Sequence, residues 1–284
     1  MNKKELTSII KNIKDLPTLP NIIIKIIAVV NDPLSSANDI KKLIENDYVQ
    51  TARVLKLVNS SFYGFSKNVS KVTTAIVIIG YNEIKNLLIS CSVYDVFKKS
   101  HKLDNQYFDM QNFMDHSLGT AICARMIGEM LKYNEPEELF VGGLLHDIGK
   151  IILYQYFHED FIEALKQIGH KVYFQNEREF IGFTHNEIGL ILTEHWSMPE
   201  KIRDMVTYHH YYHFSKLFKQ ESAIIYLADS ITRTMKIGEY DKTNPPIADD
   251  NLLEFLGVNE EFIMKVMESL PNRFIEVKQL FESY

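Results

Sequence analysis

One short segment of the chain combines residue types that can bind a metal ion. His146 and Asp147 are followed by Ile-Gly-Lys and end the apolar run Phe140–Leu145. An adjacent His and Asp on one helix can both turn inward and offer an imidazole nitrogen and a carboxylate oxygen to the same cation. Such mixed N/O sites suit Fe, Mn, Ni, Zn or Co. The doublet therefore predicts a divalent transition metal, as one or two ions, and leaves its identity open.

Further candidate ligands lie on separate predicted helices. His116 precedes His146 on the neighbouring helix, and two successive antiparallel helices can face each other. Asp229 ends the apolar run 224–228, and a buried carboxylate needs a cation or hydrogen-bond donors. The predicted metal ligands are His116, His146, Asp147, His185, His209, His210 and Asp229.

A purely structural role stays open for some of these residues. His185 could simply occupy the first turn of a helix. The pair His209–His210 lies at a predicted helix C-terminus, where the helix dipole favours imidazolium in any case. Of the other histidines, we expect His195 to pack against its neighbours, and the rest to face solvent: His101, His158, His170 and His213.

The elements that must position these residues are predicted to be helices. The chain has 12 Gly and 8 Pro in 284 residues, about 7% against roughly 12% in ordinary proteins, which favours long helices with short connections. Apolar residues recur at helical spacing. The predicted helices are Ile22–Val30, one containing Ile40, Leu43 and Ile44, Tyr48–Val58, Thr73–Ile79, Glu83–Phe97, Phe113–Leu131, one beginning at Pro136, Glu159–Ile168, Asn186–Trp196, Pro199–His210, Glu221–Met235, Leu252–Leu256, Glu260–Leu270 and a final run Arg273–Phe281.

A polar window divides the predicted helices into two groups. Residues 98–106 form the most polar window of the chain, which places a boundary between an N-terminal helical subdomain, 1–105, and a second helical subdomain, 106–284. The segment 240–250, with two consecutive prolines, is predicted to be a loop. The fold class is all-α.

Composition and charge exclude several functions. There are 31 basic and 37 acidic residues, a net charge of −6, and no basic run, so we expect no DNA binding. The longest apolar stretches are too short to span a bilayer, and no apolar region follows Met1–Glu5, so we expect no signal peptide. Cys91 and Cys123 are the only thiols, which is typical of a reducing compartment without disulfides. These features predict a cytoplasmic protein without a membrane partner.

The order of the candidate ligands resembles that of the HD superfamily of metal-dependent phosphohydrolases. His116, His146, Asp147 and Asp229 match that family's His, His-Asp doublet and distal Asp in order and type. Its HD-GYP branch, which hydrolyses cyclic di-GMP, has further histidines for a second metal, and the remaining three candidates fall where those are expected. The resemblance implies a catalytic Asp147. Lys150, one turn after the doublet, is predicted to neutralise phosphate charge. No Glu follows the His209–His210 pair and no Gly-Tyr-Pro precedes Asp229, unlike the cyclic di-GMP enzymes.

Motifs in the first half of the chain indicate which branch of the HD superfamily it resembles. Leu16–Pro20, Asn31–Pro33, Ala52–Tyr63 and Val72–Gly80, together with Gly142–Lys150, resemble the HDOD domain over about residues 10–235. This resemblance implies an HD-like helical bundle with an N-terminal helical subdomain packed on it. HDOD proteins are bacterial signalling modules, and many of them have lost the metal ligands that this chain keeps.

Three functional hypotheses follow from the resemblance. The first is a signalling module that binds protein partners or a nucleotide ligand and retains the metal site. The alternative is an active metal-dependent phosphohydrolase or phosphodiesterase on a nucleotide or cyclic nucleotide. The third is a sensor in which metal binding switches the conformation. The sequence indicates no oligomeric state.

Overall fold

The computed structural model is built from helices throughout the residues it describes, which are 6–8, 10, 13, 16–32, 34–45, 47–60, 68–99, 107–166, 173–238 and 250–282. No strand occurs within these ranges, and the all-α prediction is confirmed. The labelled helices are α1 (Asn21–Asn31), α2 (Ala37–Glu45), α3 (Tyr48–Val58), α4 (Val72–Ile79), α5 (Tyr81–Lys99), α6 (Met110–Met130), α7 (Pro136–Leu145), α8 (Gly149–Tyr156), α9 (His158–Lys166), α10 (Tyr173–Phe180), α11 (His185–His195), α12 (Glu200–Tyr208), α13 (Lys219–Thr234), α14 (Asp250–Leu256) and α15 (Glu260–Glu282).

The N-terminal helices pack around α5. Helices α1, α3 and α4 all contact α5, and α5 also packs on α7 of the second half. Asn59 links the end of α3 to the segment before α4. Its amide nitrogen donates to Leu55 O and Val69 O, and its amide oxygen accepts from Val69 N. Two bonds also run to the turn after α11: Trp196 Nε1 donates to Pro17 O at 2.9 Å, and Asn31 Nδ2 donates to Ser197 O at 3.0 Å.

The second half is organised around α6. This helix packs against α7, α13 and α15, while α11 packs against both α8 and α12. Every residue of α6 from His116 to Gly128 is buried, so α6 is a central helix rather than an amphipathic surface one. Helices α6, α7 and α13 contact one another, and α11 reaches the same buried region through its packing on α8.

Several local predictions differ from the structure. Glu260–Leu270 and Arg273–Phe281 are one helix, α15, with Pro271 inside it. Proline removes one helical hydrogen bond, but Pro271 is exposed, and buried Leu270 and Val277 hold the helix against the core on both sides. Helix α10 was not predicted, because its sequence is mostly polar.

Some predictions fall outside the described residues. These are the central part of the predicted boundary, 100–106, and nearly all of the predicted loop, 240–249, so the two-subdomain division stays a prediction. Among the described residues no single helix is long and apolar enough to cross a bilayer. Two consecutive helices, Val72–Ile79 and Tyr81–Lys98, reach the length and apolar composition of a membrane span when they are taken together, but a bend of 113° separates them.

Candidate metal centre

The His146–Asp147 doublet lies in the turn between α7 and α8, not on one helix as predicted. Both side chains are fully buried. The turn presses against the start of α11, since a Cβ on Gly149 would lie 2.0 Å from the carbonyl oxygen of His185. Only glycine permits this approach of α8 to α11, which brings His185 to the doublet.

Three of the predicted ligands lie on the side of Asp147 that its Oδ2 faces. Together with Asp147 they form a group that we call the HD half: His116, His146, Asp147 and Asp229. His116 Nε2 lies 2.9 Å from Asp229 Oδ1, and His146 Nε2 lies 3.7 Å from the same oxygen. His146 Nε2 is also 3.2 Å from Asp147 Oδ2. Helix α6 supplies His116 and helix α13 supplies Asp229, so the packing of these two helices builds this half.

The other three ligands meet on the opposite side of Asp147, and we call them the three-histidine half: His185, His209 and His210. Asp147 Oδ1 lies 3.2 Å from His185 Nε2 and 3.6 Å from His209 Nε2. His185 Nε2 lies 3.4 Å from His209 Nε2 and 3.1 Å from His210 Nε2. The structure therefore brings all seven predicted ligands together, with the two oxygens of Asp147 facing different halves.

The donor set fits transition-metal ions. In each half, candidate ligand atoms lie within 4.8 Å of one another: those of His116, His146 and Asp147, and those of Asp147 and the three-histidine half. Imidazole nitrogens and carboxylate oxygens are the ligand types of Zn, Fe, Ni and Mn sites. By ligand type and by spacing, the residues of both halves fit such ions.

Backbone carbonyls orient two of the imidazole rings. His146 Nδ1 lies 2.6 Å from Gly143 O, and His209 Nδ1 lies 2.8 Å from Val206 O. We assign the ring proton of each neutral imidazole to Nδ1 on the basis of these contacts. This tautomer leaves Nε2 of both rings facing the centre as a potential ligand.

Two ionisable residues of the cluster were missed by the sequence analysis. Glu177 on α10 is fully buried and lies 2.7 Å from His185 Nδ1, and it also accepts the His185 backbone N–H. Arg233 Nε bonds Asp229 Oδ1 at 2.7 Å, and its Nη2 lies 3.6 Å from Asp147 Oδ2. Arg233 follows Asp229 at the (i, i+4) spacing of a helical pair, which is a signal that could have identified it. Glu177 lies in a polar stretch with no comparable signal.

Lys150 lies within the buried cluster. Its side chain is fully buried, and Nζ bonds Asp147 Oδ2 at 2.7 Å. The contact seen here is with the carboxylate, so the predicted neutralisation of a phosphate by Lys150 stays a prediction.

The charges of the cluster follow from burial and proximity. Burial opposes ionisation of Asp147, but His146 and Lys150 outweigh it and hold the pKa of Asp147 well below its usual value. For Asp229, Arg233 and His116 likewise outweigh burial and lower its pKa. Both carboxylates are therefore ionised and able to bind a cation.

The histidines respond in two ways. Burial lowers the pKa of four of them, which favours the neutral form that a metal requires: His116, His185, His209 and His210. Burial also disfavours the charged form of His146, but Asp147 outweighs it and raises the pKa of His146 to about 9. His146 must therefore lose a proton when it binds an ion.

Three further histidines lie within the described residues: His158, His195 and His213. The prediction that His195 packs against its neighbours is wrong, because this residue is exposed. His158 and His213 are exposed as predicted. His101 and His170 lie outside the described residues.

Comparison with known proteins identifies the family of this chain. The HDOD domain family matches residues 16–212. The chain belongs to the HDOD family. A sequence relative is an uncharacterized protein of Treponema pallidum (strain Nichols), 27% identical over 222 residues, or 73% of this chain and 40% of that protein. This HDOD chain thus spans about 40% of the length of that curated relative.

Solved structures share the fold. An HDOD domain protein of unknown function from Geobacter sulfurreducens has a TM-score of 0.77 at 24% identity, covering 98% of this chain and 96% of the other. A Shewanella amazonensis protein provisionally named a phosphohydrolase has a TM-score of 0.71 at 20% identity, covering 98% and 97%. A Marinobacter aquaeolei protein provisionally named a signal transduction protein has a TM-score of 0.74 at 20% identity, covering 99% and 65%. At these identities the likeness extends to the fold.

Proposed function

We propose that this HDOD protein is a metal-dependent phosphohydrolase that acts on a phosphate ester. The observation that carries the proposal is the position of Asp147, whose Oδ1 faces the three-histidine half and whose Oδ2 faces the HD half. A carboxylate that faces two sets of ligands can bind an ion on each side, and paired metal ions are one arrangement that catalyses phosphate-ester hydrolysis.

The two halves would hold the ions between them. Asp147 would contribute one oxygen to each half, and the six other predicted ligands would complete the two sites. When bound, such ions act as Lewis acids that polarise a phosphoryl oxygen and lower the pKa of water.

The chain's own residues hold this arrangement in place. Lys150 and Arg233 keep Asp147 and Asp229 ionised and fix their orientation. Glu177 fixes the ring of His185. Two cations next to two carboxylates also leave the centre attractive to an anionic phosphate once metal ions are bound. The provisional name of the Shewanella amazonensis neighbour agrees with this chemistry.

Metal content and hydrolysis together test the proposal. We expect protein purified without chelator to contain Fe, Mn, Ni, Zn or Co, measured by plasma mass spectrometry. We also expect it to hydrolyse at least one substrate in a panel of cyclic di-GMP, cyclic mononucleotides, nucleoside triphosphates and bis-p-nitrophenyl phosphate. Asp147→Asn should lose both properties, whereas Asp160→Asn, at an exposed position, should keep both. If the metal-loaded protein hydrolyses none of these substrates, the proposed phosphohydrolase function is contradicted.

A signalling role is the second candidate, favoured by the bonds between the N-terminal half and the turn after α11. Trp196 and Ser197 contact Pro17 and Asn31, and α11 begins with His185. A change at the three-histidine half could therefore reach the N-terminal half through one helix. Hydrogen exchange tests this candidate: metal should slow exchange in residues 16–32 of the wild-type chain, and Trp196→Phe should reduce that effect. Equal exchange with and without metal would contradict it.

A further inference from the structure

The two oxygens of Asp147 have different neighbours. Its Oδ2, which faces the HD half, is contacted by two cations of the chain: Lys150 Nζ lies 2.7 Å away and Arg233 Nη2 lies 3.6 Å away. Its Oδ1, which faces the three-histidine half, lies 3.2 Å from His185 Nε2 and 3.6 Å from His209 Nε2. The same carboxylate therefore meets positively charged side chains on one side and imidazole nitrogens on the other.

Arg233 reaches both carboxylates of the HD half. Its Nε donates to Asp229 Oδ1 at 2.7 Å, and its Nη2 is the group near Asp147 Oδ2. The imidazoles of this half face the same two oxygens. His116 Nε2 lies 2.9 Å from Asp229 Oδ1, and His146 Nε2 lies 3.2 Å from the Asp147 oxygen. An ion held by these ligands would therefore share both carboxylate oxygens with the guanidinium.

Burial makes the positive charge of Arg233 effective. Its side chain is 9% exposed, and those of Asp147 and Lys150 are fully buried. Like charges a few ångströms apart repel much more strongly in a buried site than in water. A divalent ion that binds in the HD half is therefore opposed by the guanidinium, unless Arg233 gives up its contacts with the two carboxylates. Of the two cations, Arg233 is the one whose side chain reaches the surface.

The three-histidine half presents a different set of donors. His209 Nδ1 lies 2.8 Å from Val206 O, so Nε2 keeps a lone pair, and this lone pair faces His185 Nε2 at 3.4 Å. His210 Nε2 lies 3.1 Å from the same nitrogen of His185. Imidazole nitrogens that converge in this way are suitable ligands for a transition-metal ion. An ion therefore meets ligands in this half, but both ligands and a competing cation in the HD half.

We propose that the two halves bind metal ions in a fixed order. The three-histidine half binds the first ion tightly, and the HD half binds a second ion more weakly, because Arg233 must release Asp229 and Asp147. This inference rests on the proposed phosphohydrolase function, for which it names the regulation. If hydrolysis needs both ions, activity follows the concentration of the second ion rather than that of the first.

Equilibrium dialysis against Co²⁺ tests the order on the full chain. After metal has been removed with a chelator, we expect the protein to bind one ion at least about tenfold more tightly than a second, because of the repulsion between buried like charges. Plasma mass spectrometry measures the bound cobalt at each free concentration. Equal affinities for the two ions, or fewer than two ions bound at saturating Co²⁺, overturn the proposal.

Substitution of one ligand in each half shows which ion is which. His210→Gln should weaken or remove the tight ion, since His210 belongs to the three-histidine half. His116→Gln should remove the weak ion and leave the tight one unchanged, since His116 belongs to the HD half. Loss of the tight ion in His116→Gln, with the tight ion retained in His210→Gln, overturns the proposal.

Variants of Arg233 test its role. Arg233→Met should strengthen binding of the second ion at least about tenfold, because the repelling charge is gone, and should leave the first ion unchanged. Arg233→Lys keeps the charge but loses the planar fork that spans both carboxylates, so its second-ion affinity should lie between the two. The control is Arg273→Gln on α15, a helix that carries none of the predicted ligands.

A second-ion affinity in Arg233→Met equal to or below that of wild type overturns the proposal. The dialysis of the wild-type chain and the two ligand substitutions do not depend on this variant, so they test the order even if Arg233→Met does not fold.

The outcomes for this inference and for the proposed function can be told apart. Ordered binding of two ions by a protein that hydrolyses none of the substrate panel supports the order and contradicts the phosphohydrolase. Hydrolysis by a protein that binds two ions with equal affinity supports the phosphohydrolase and overturns the order.

Discussion

Glu177 hydrogen-bonds both the imidazole ring and the backbone N–H of His185. Its Oε2 lies 2.7 Å from the ring Nδ1 and also accepts the His185 backbone N–H at 2.7 Å. Burial raises the pKa of Glu177 to about 8. When ionised, its carboxylate accepts from His185 Nδ1, which fixes the ring orientation and makes the opposite nitrogen a better ligand. Glu177 thus links α10, a helix with no predicted ligand, to the three-histidine half.

Glu177→Gln should weaken metal binding about 10- to 100-fold. The amide can donate to Nδ1, which places the ring proton on Nε2 and removes the lone pair that faces the centre. Competition against a fluorescent chelator measures the affinity. Glu179→Gln on the same helix is the control, since Glu179 is exposed. An unchanged affinity in Glu177→Gln would show that His185 is not a ligand or needs no orientation.

Arg233→Met should destabilise the metal-free protein. Arg233 lies within ion-pair distance of the buried carboxylates Asp229 and Asp147, and removing one partner of a buried ion pair costs about 3–5 kcal/mol. A bound metal ion would replace part of the lost positive charge, so the metal-induced rise in Tm should be larger than in wild type. Thermal denaturation with and without metal measures both effects.

Arg233→Lys provides the comparison for that variant. It keeps the charge, so its metal-free Tm should lie between those of wild type and Arg233→Met. The role assigned to Arg233 is wrong if Arg233→Met has the wild-type Tm without metal, or gains no more from metal than wild type does.

Gly149→Ala should disrupt the approach of α8 to α11. The new Cβ would lie 2.0 Å from the His185 carbonyl oxygen, a backbone atom that cannot rotate away. Overpacking typically costs about 1–3 kcal/mol, and the displacement should also lower metal affinity at the three-histidine half. Denaturant unfolding and chelator competition measure the two effects.

Gly257→Ala is the control for Gly149→Ala. Gly257 has φ +67° and open space around its Cβ position, so substitution should cost only the backbone strain, about 1 kcal/mol, with metal affinity unchanged. Equal effects of the two substitutions would show that the close approach at Gly149 contributes nothing specific to stability or to metal affinity.

The all-α fold, and the meeting of the seven predicted ligand residues in one buried cluster, could be predicted from the sequence for a physical reason. Apolar spacing reports the buried face of a helix, and the order of His and Asp residues along successive helices reports which of them can meet. His116 and Asp229, far apart in sequence, come within 2.9 Å because α6 and α13 pack together. The family to which the chain belongs was also predictable, since its motifs are local.

The parts that could not be predicted depend on tertiary contacts. Helix α10 is short and mostly polar, and buried Asn176 and Glu177 hold it against its surroundings through polar contacts. The turn at His146–Asp147 reads as helix because the residues on either side are apolar. Pro271 reads as a helix end because only packing of the flanking residues keeps α15 continuous.

Glu83 makes stability depend on pH at the junction between the two halves. It lies in the first turn of α5, and burial is the main cause that raises its pKa to about 7, with Arg125 and Lys85 opposing and Glu135 and Glu138 reinforcing the rise. The ordinary value, near 4.5, applies to the unfolded chain. The folded state therefore retains a proton that the unfolded state releases between these two values.

The sign of the effect follows from this difference. The contribution of Glu83 to stability is complete below pH 4.5, falls as pH rises, and is lost above about pH 7. Glu83→Gln has no proton to release, so its Tm should exceed that of wild type at pH 8 and match it near pH 4.5. Exposed Glu276→Gln should follow the wild-type profile. If the difference in Tm between Glu83→Gln and wild type is the same at both pH values, then Glu83 has the same pKa in the folded and unfolded states, and the raised pKa at the junction is wrong.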